Sequence, residues 1–489
     1  MKSSRPRFLE GMWPQGNMSK RTKRLNNCGF SAHCEECQNF LECVDWEQFV
    51  LKHGFKKRYA HFDRRTSLND FKTRAKVLNS KWVARHAFWP FIFYKQDLTK
   101  YKKGEGRKYK IREIRYCSHI DRCIYQRYSF LLNRSFNNYA SSHELDESVI
   151  AYRTNSGRSN IDYANQAFDF IERCEQCYVI VSDFSNFFDR IDHEKLKKAL
   201  CNLLKVDCLP ADYYAVFKSL TRYSSWEWDS LLEIAGFAGQ HEARKKANDQ
   251  ETIITREAFG SNVKRCANRN DSGFGIPQGS PLSAVLSNVY MIDFDQAMIS
   301  EVKKSQGLYF RYCDDLLIVL PFDKTNDSQV WKKANELQKL LFCNQYAQIN
   351  EDKTEVLRFD RRSEKVEVSR FERETGHFQT GGQLDYLGFV YDGERRYLRR
   401  RSISKYYRRM YSKVKNVHGN NSYENIYGTY SNLSWKIKGR PSYIDYARRA
   451  KHEVGLVDPQ LDSLIKHNRE KIGKARKNSR NDEGLNSKT

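Results

Sequence analysis

The clearest hydrophobic patterning lies between residues 179 and 393, where strand-like and helix-like signals alternate. Tyr178-Val-Ile-Val-Ser182 is a β-rich apolar run and predicts a buried strand that delivers Asp183 at its C-terminal end. From about His193 the period becomes helical, with Leu196, Leu200, Leu203 and Leu204 on one face. Ser280-Pro281 reads as N-cap and first helical residue, since serine satisfies an orphan amide and proline has none to satisfy. Leu282, Val285, Leu286, Val289 and Ile292 continue at helical spacing. Leu308–Tyr312 and Leu316–Leu320 are strand-like runs around Cys313-Asp314-Asp315, a pattern that predicts a hairpin.

The flanking regions differ in kind. Residues 1–98 form an N-terminal extension: a basic polar start, four cysteines, then an aromatic-rich stretch with Trp82, Phe88, Trp89, Phe91 and Phe93. Residues 99–178 are basic and mixed. Within 179–393, residues 222–272 read as an inserted surface segment, because Gly236–Asp271 is charged and polar. Residues 394–466 open with a run, 395–415, of ten Lys or Arg and no acid. Residues 467–489 are polar and read as a flexible tail.

Length and charge narrow the function. A chain of 489 residues is enough for roughly three domains of about 150 residues, and it needs no staple to fold. Lys plus Arg total 85 against 60 Asp plus Glu, a net charge of +25, which predicts an anionic partner. With 13% aromatic residues, nucleic acid fits: bases stack on rings and phosphates pair with cations. No stretch approaches the ~18 apolar residues of a membrane span, and the N-terminus lacks the apolar core of a secretory signal. Thirteen scattered cysteines fit reduced thiols in a cytoplasmic protein. Cys28, Cys34, Cys37 and Cys43, with His33, offer ligands to zinc, but their spacing is not that of a standard finger and buried thiols are the better reading. A second pair, Cys174–Cys177, lies far along the chain.

The candidate chemistry centres on acids. Asp314 and Asp315 repel each other between apolar strands, so a compensating cation is expected; alone, the pair also fits a solvated turn. Asp183 at another strand end would complete a three-carboxylate cluster. Such a cluster suits two Mg²⁺ ions, hard cations that prefer oxygen.

The neighbours of these acids carry a family resemblance. Asp183-Phe-Ser-Asn-Phe-Phe-Asp189-Arg-Ile-Asp-His193 resembles motif A of reverse transcriptases, and Gly275-Ile-Pro-Gln-Gly-Ser-Pro-Leu-Ser283 their motif B. Tyr312-Cys313-Asp314-Asp315 resembles motif C, Asn350-Glu-Asp-Lys353-Thr-Glu355 motif D, and Leu384-Asp-Tyr-Leu-Gly-Phe389 motif E, all in family order. The chain resembles bacterial reverse transcriptases of the retron and group II intron lineage. The resemblance implies an α+β right-hand polymerase: fingers at 99–178, an antiparallel palm at 179–393 and a basic helical thumb at 394–466.

It also implies roles. Asp183, Asp314 and Asp315 would be metal ligands for two Mg²⁺ ions, with the Phe184 carbonyl a further oxygen. Lys353 would serve the departing pyrophosphate. Phe188 matches the residue that excludes a ribose 2′-hydroxyl. Gln278 and Gly279 match the turn against template and nucleotide, and Lys110, Arg112 and Arg158 match phosphate-holding positions of the fingers. Arg399, Arg400, Arg401, Lys405, Arg408 and Arg409 would track a duplex. Implied partners are a structured noncoding RNA template, a DNA product and dNTPs, with homo-oligomerisation left open.

About 100 residues follow motif E, too few for the DNA-binding and endonuclease domains of a full mobile intron protein, and the extension before the fingers exceeds a compact retron enzyme. This architecture resembles defence-associated, abortive-infection-like enzymes of bacteria. The alternatives are a mobile-element polymerase, or an RNA-binding scaffold without catalysis. A tyrosine among Tyr423, Tyr427, Tyr430, Tyr443 and Tyr446 would be a protein primer, against the simpler reading that these rings pack.

Overall fold

The computed structural model describes residues 40–97, 100–102, 106–108, 111–153, 157–417, 420–431, 443–455 and 459–486. Helices are mixed with sheets that are antiparallel apart from one pair, Phe91–Asp97 with Ser224–Glu227, an α+β architecture. The chain divides into two compact units, Met1–Arg134 with Asp192–Leu286, and Ser135–Ile191 with Ser287–Thr489.

The second unit is built on a six-stranded sheet. Its order is His377–Thr380, Glu367–Glu372, Glu355–Asp360, Gln176–Asp183, Asp315–Phe322, Leu308–Tyr312, and every neighbouring pair is antiparallel. The Gln176–Asp183 strand lies inside the sheet and is covered on both faces. Cys177 and Val179 belong to one core with Phe168 and Ile171 of the helix Asn160–Arg173. Tyr178 points the other way and packs on Phe322 and Trp331. Cover on both sides is why this strand reads as a continuous apolar run. The hairpin around Asp314 forms as predicted, from Leu308–Tyr312 and Asp315–Phe322.

A three-stranded sheet follows, Leu384–Tyr386, Phe389–Tyr391 and Arg396–Leu398. Its first turn places Leu387 at φ 46 and Gly388 at φ 99, the two left-handed positions a tight hairpin requires. Helices Arg400–Lys415, Asn420–Tyr430, Tyr443–Val454 and Pro459–Asn486 complete the unit. The last of these is helical over 467–486, a stretch expected to belong to a flexible tail. Leu461, Leu464, Ile465 and Ile472 recur at helical spacing and are buried. Asn468, fully buried among them, donates to the Tyr430 carbonyl at 2.7 Å. A polar composition had masked that stripe.

The first unit holds a four-stranded sheet ordered Ile111–Tyr116, Phe91–Asp97, Ser224–Glu227, Asn268–Arg269. The segment 222–272, expected as a surface insertion, supplies two of these strands. It also supplies Trp226 and Trp228 to a core with Phe62 and Ile92. The helix His119–Ser142 starts on Asp63, whose carboxylate accepts from the amides of His119 and Ile120 at 3.0 and 2.9 Å. One helix starts later than expected. Ser280 caps only a turn, its Oγ accepting from Leu282 N at 3.2 Å, and the helix itself runs Ser283–Tyr290.

Candidate active site

Strand register brings the three acids of the second unit to one end of its sheet. Asp183, the last residue of its strand, sits opposite Asp315, the first residue of the neighbouring one. Tyr312 pairs with Asp315 to close the hairpin, and Cys313 takes a left-handed φ of 61° at its tip. The amide of Phe184 donates to the Asp314 carbonyl at 3.1 Å, tying the two strand ends together. Asn350 N donates to the Asp183 carbonyl at 2.7 Å and Ser185 N to the Gln348 carbonyl at 2.7 Å, which fixes the loop bearing Lys353. Lys353 Nζ forms an ion pair with Asp183 Oδ2.

The charges are only partly balanced. Burial, then Asp183, raises the proton affinity of Asp314. Burial, then Asp314 and Asp183, pushes Asp315 up to about 6, against the pull of Arg399 and Lys353. Among the described residues no three His, Cys, Asp or Glu side chains are gathered into a group placed to hold a metal ion, and Asp183 is engaged by Lys353. The donor chemistry nonetheless suits a hard dication: three carboxylates whose mutual repulsion outweighs one lysine.

Beneath the hairpin lies a supporting network that sequence reasoning missed. Arg311, fully buried, donates from Nε and Nη2 to the two carboxylate oxygens of Asp295, both at 2.7 Å. Its Nη1 donates to the Cys313 carbonyl at 3.1 Å and to Asn288 Oδ1 at 3.2 Å. Tyr309 OH donates to Asp295 Oδ1 at 2.8 Å. Arg311 thus pins the carbonyl of the one residue that adopts left-handed backbone at the tip. The signal was present in the sequence: an arginine inside the apolar run Leu308–Tyr312 must be buried with a partner.

The remaining candidates fall in several places. Phe184 is buried and Phe188 half-buried, in a short 3₁₀ turn, Phe187–Arg190, directly after the Asp183 strand. Gln278 and Gly279 lie in the first unit. The Gln278 carbonyl accepts from Arg115 N at 3.1 Å, and a Cβ at Gly279 would stand 2.2 Å from the Arg115 carbonyl. The close approach that demands glycine there is therefore to the protein's own strand Ile111–Tyr116. Arg112 is exposed on that strand, while Lys110 lies outside the described residues. Arg158 forms an ion pair with Glu147 at 3.0 Å.

The basic helix divides in two. Arg400, Arg401, Lys405, Arg408 and Arg409 are exposed, and none is in an ion pair among the described residues. Arg399 differs: it precedes the helix and pairs with Asp385. The tyrosines pack. Tyr423 and Tyr430 are buried, Tyr406 lies against Tyr430 and Tyr443, and Tyr446 OH accepts from Asn160 Nδ2 at 2.9 Å. Cys28, Cys34, Cys37 and the Cys43 side chain lie outside the described residues. No helix among the described residues is long and apolar enough to cross a membrane.

No protein-family model and no curated protein matches the chain. Solved structures similar to it include telomerases from Candida species. A truncated apo telomerase of Candida tropicalis has TM-score 0.35 at 13% identity, covering 71% of this chain and 64% of that one. Telomerase of Candida albicans, solved with a fragment of telomeric RNA, has TM-score 0.37 at 12% identity, covering 87% and 72%. A second apo telomerase structure from Candida tropicalis has TM-score 0.36 at 14% identity, covering 88% and 68%.

Proposed function

We propose that the chain is an RNA-directed DNA polymerase with a right-hand arrangement, in which the second unit supplies the palm. The observation that carries this reading is the register that sets Asp183 opposite Asp315, with Asp314 beside them at the hairpin tip. Asp183, Asp314 and Asp315 would hold two Mg²⁺ ions. When bound, these supply activation of a primer 3′-hydroxyl and charge neutralisation on the leaving pyrophosphate.

The chain's own residues do the rest. Arg311 and Asp295 hold the hairpin tip in one conformation, so the acids need no reorganisation. Lys353, released from Asp183, presents its ammonium to the departing phosphates. Phe188 fills the space a ribose 2′-hydroxyl would occupy. The exposed cations of Arg400–Lys415 bind the template–product backbone without reading sequence. The template in this reading is a structured noncoding RNA, and the setting suggested by the family resemblance is bacterial antiphage defence.

Primer extension on an annealed RNA template tests the activity. The wild-type chain is expected to incorporate dNTPs only with Mg²⁺ present. Asp314→Asn with Asp315→Asn should fall to background while RNA binding persists. Near-normal synthesis by the double variant would remove the site.

A further inference from the structure

The short segment Ser148–Arg153 carries a tyrosine, Tyr152, that has no part in the site above. The segment runs alongside the edge strand Leu308–Tyr312, where Val149 bridges to Arg311 in parallel. Arg311 N donates to the Ser148 carbonyl at 2.9 Å, and Ile150 N donates to the Arg311 carbonyl at 3.1 Å. Parallel pairing advances both chains together, so Ala151 comes level with Cys313 and Tyr152 with Asp314. One network fixes that level. Asn288 Nδ2 donates to the Ala151 carbonyl at 2.9 Å, and Asn288 Oδ1 accepts from Arg311 Nη1 at 3.2 Å. The same Nη1 donates to the Cys313 carbonyl at 3.1 Å. The carbonyls just before Tyr152 and just before Asp314 are therefore tied to one guanidinium, the first through Asn288.

Tyr152 itself is held in an unfavourable backbone state. Its φ of 61° is left-handed, which costs energy for a bulky residue, whereas glycine would take it freely. Both neighbours are locked. Ala151 is buried, and Arg153, its side chain 2% exposed, donates from Nε to Asn137 Oδ1 at 2.9 Å and pairs with Asp146. Between them Tyr152 is 44% exposed. A locked segment that presents an aromatic ring at the cost of strain, level with the candidate metal-binding acids, points to a contact with substrate.

Sheet order says which part of the substrate. Across this end of the sheet the sequence of groups is Lys353, Asp183, the hairpin tip and then Tyr152. Lys353 stands on the side given above to the departing phosphates, and Tyr152 stands on the other. Its phenol is neutral: partial burial, then Cys313 and Asp314, raises its proton affinity further. A neutral ring beside acids suits the uncharged base of a nucleotide and not its phosphates. We propose that Tyr152 packs on the base of the primer's 3′-terminal nucleotide and so positions the hydroxyl end of the growing strand over the acids. This rests on the polymerase reading and adds the residue that holds the primer end.

Photocrosslinking reads the contact without relying on activity. The full chain would be bound to a DNA primer on an RNA template, with 5-iododeoxyuridine as the primer's 3′-terminal nucleotide, then irradiated, digested and examined by mass spectrometry. The adduct should map to Tyr152 and should vanish when the label sits a helical turn upstream. Adducts confined to other residues, or no adduct, would overturn the proposal. Tyr152→Gly, which relieves the backbone, should melt no lower than wild type yet raise the KM for primer–template about tenfold, the loss of one ring–base stack. Tyr152→Phe, which keeps the ring, should restore the KM. A Gly variant that melts lower would assign the ring to packing and overturn the proposal, as would an unchanged KM or a Phe variant no better than Gly. Wild-type primer extension with an indifferent Tyr152 would remove this proposal and leave the polymerase reading standing; a Tyr152 adduct in a chain that extends no primer would do the reverse.

Discussion

Asp295 and the trio Asp183, Asp314 and Asp315 are acids of one unit with opposite surroundings. Asp295 is fully buried, yet both its oxygens accept from Arg311 and one also accepts from Tyr309. The trio is less buried, but its members repel one another and, among the described residues, have only Lys353 as a direct ionic partner. Burial alone therefore does not decide the state of a carboxylate; matched donors do. Asp295 is finished as a structural ion pair. The trio is left with excess negative charge, the kind of imbalance that marks a ligand or catalytic site.

Removing the partner of the finished pair should have the largest effect. Arg311→Met leaves Asp295 buried and uncompensated and should cost about 3–5 kcal/mol in chemical denaturation at neutral pH. Adding Asp295→Leu should recover part of that loss. A single variant within about 0.5 kcal/mol of wild type, the range of ordinary surface substitutions, would show that the pair is not the anchor described.

The unfinished site should respond in the opposite direction. Asp315 holds its proton up to about 6 in the fold against an ordinary 3.8, so its ionised form penalises the folded state above that range. Asp315→Asn should raise stability at pH 7–8, by about 0.5–1 kcal/mol, because solvent screens the charge of this exposed side chain. The gain should shrink as pH falls from about 6 towards 4, where wild-type Asp315 is protonated in the fold as well. A gain independent of pH would point to packing rather than charge.

The basic helix offers a smaller version of the same contrast. Arg399 is paired with Asp385, whereas Arg401, Lys405 and Arg408 are exposed and in no ion pair among the described residues. Changing those three to Gln should flatten the salt dependence of RNA binding by roughly 0.7–0.9 in log–log slope per lost phosphate contact. Arg399→Gln should leave the slope nearly unchanged. Equal slopes for both variants would place the RNA elsewhere.

Much of this was legible in the sequence where one residue's pattern determines its environment. The apolar runs flanking Asp183 and Asp314 named their strands, because both faces of that sheet are covered. The stripe from Leu282 to Val289 named a buried helical face, although Ser280 caps a turn ahead of the helix and Ile292 opens the next helix, Ile292–Lys303. What stayed hidden depends on partners far apart in the chain. Nothing near Arg311 announces Asp295, sixteen residues earlier, as the acceptor of its guanidinium. Trp226 and Trp228 lie in a segment whose charged remainder suggested surface, yet they fill a core with Phe62 and Ile92. The need for glycine at Gly279 was legible, but not that the group it admits is the Arg115 backbone.

The most direct measurement is thermal unfolding of the wild-type chain and of the Asp314→Asn, Asp315→Asn variant, each with and without Mg²⁺ at neutral pH. If the trio's excess charge is answered by a dication, Mg²⁺ should stabilise the wild type, by about 2.7 kcal/mol at a hundredfold excess over its dissociation constant. The double variant should melt at the same temperature with or without Mg²⁺. An equal shift in both proteins, or no shift in the wild type, would contradict the account.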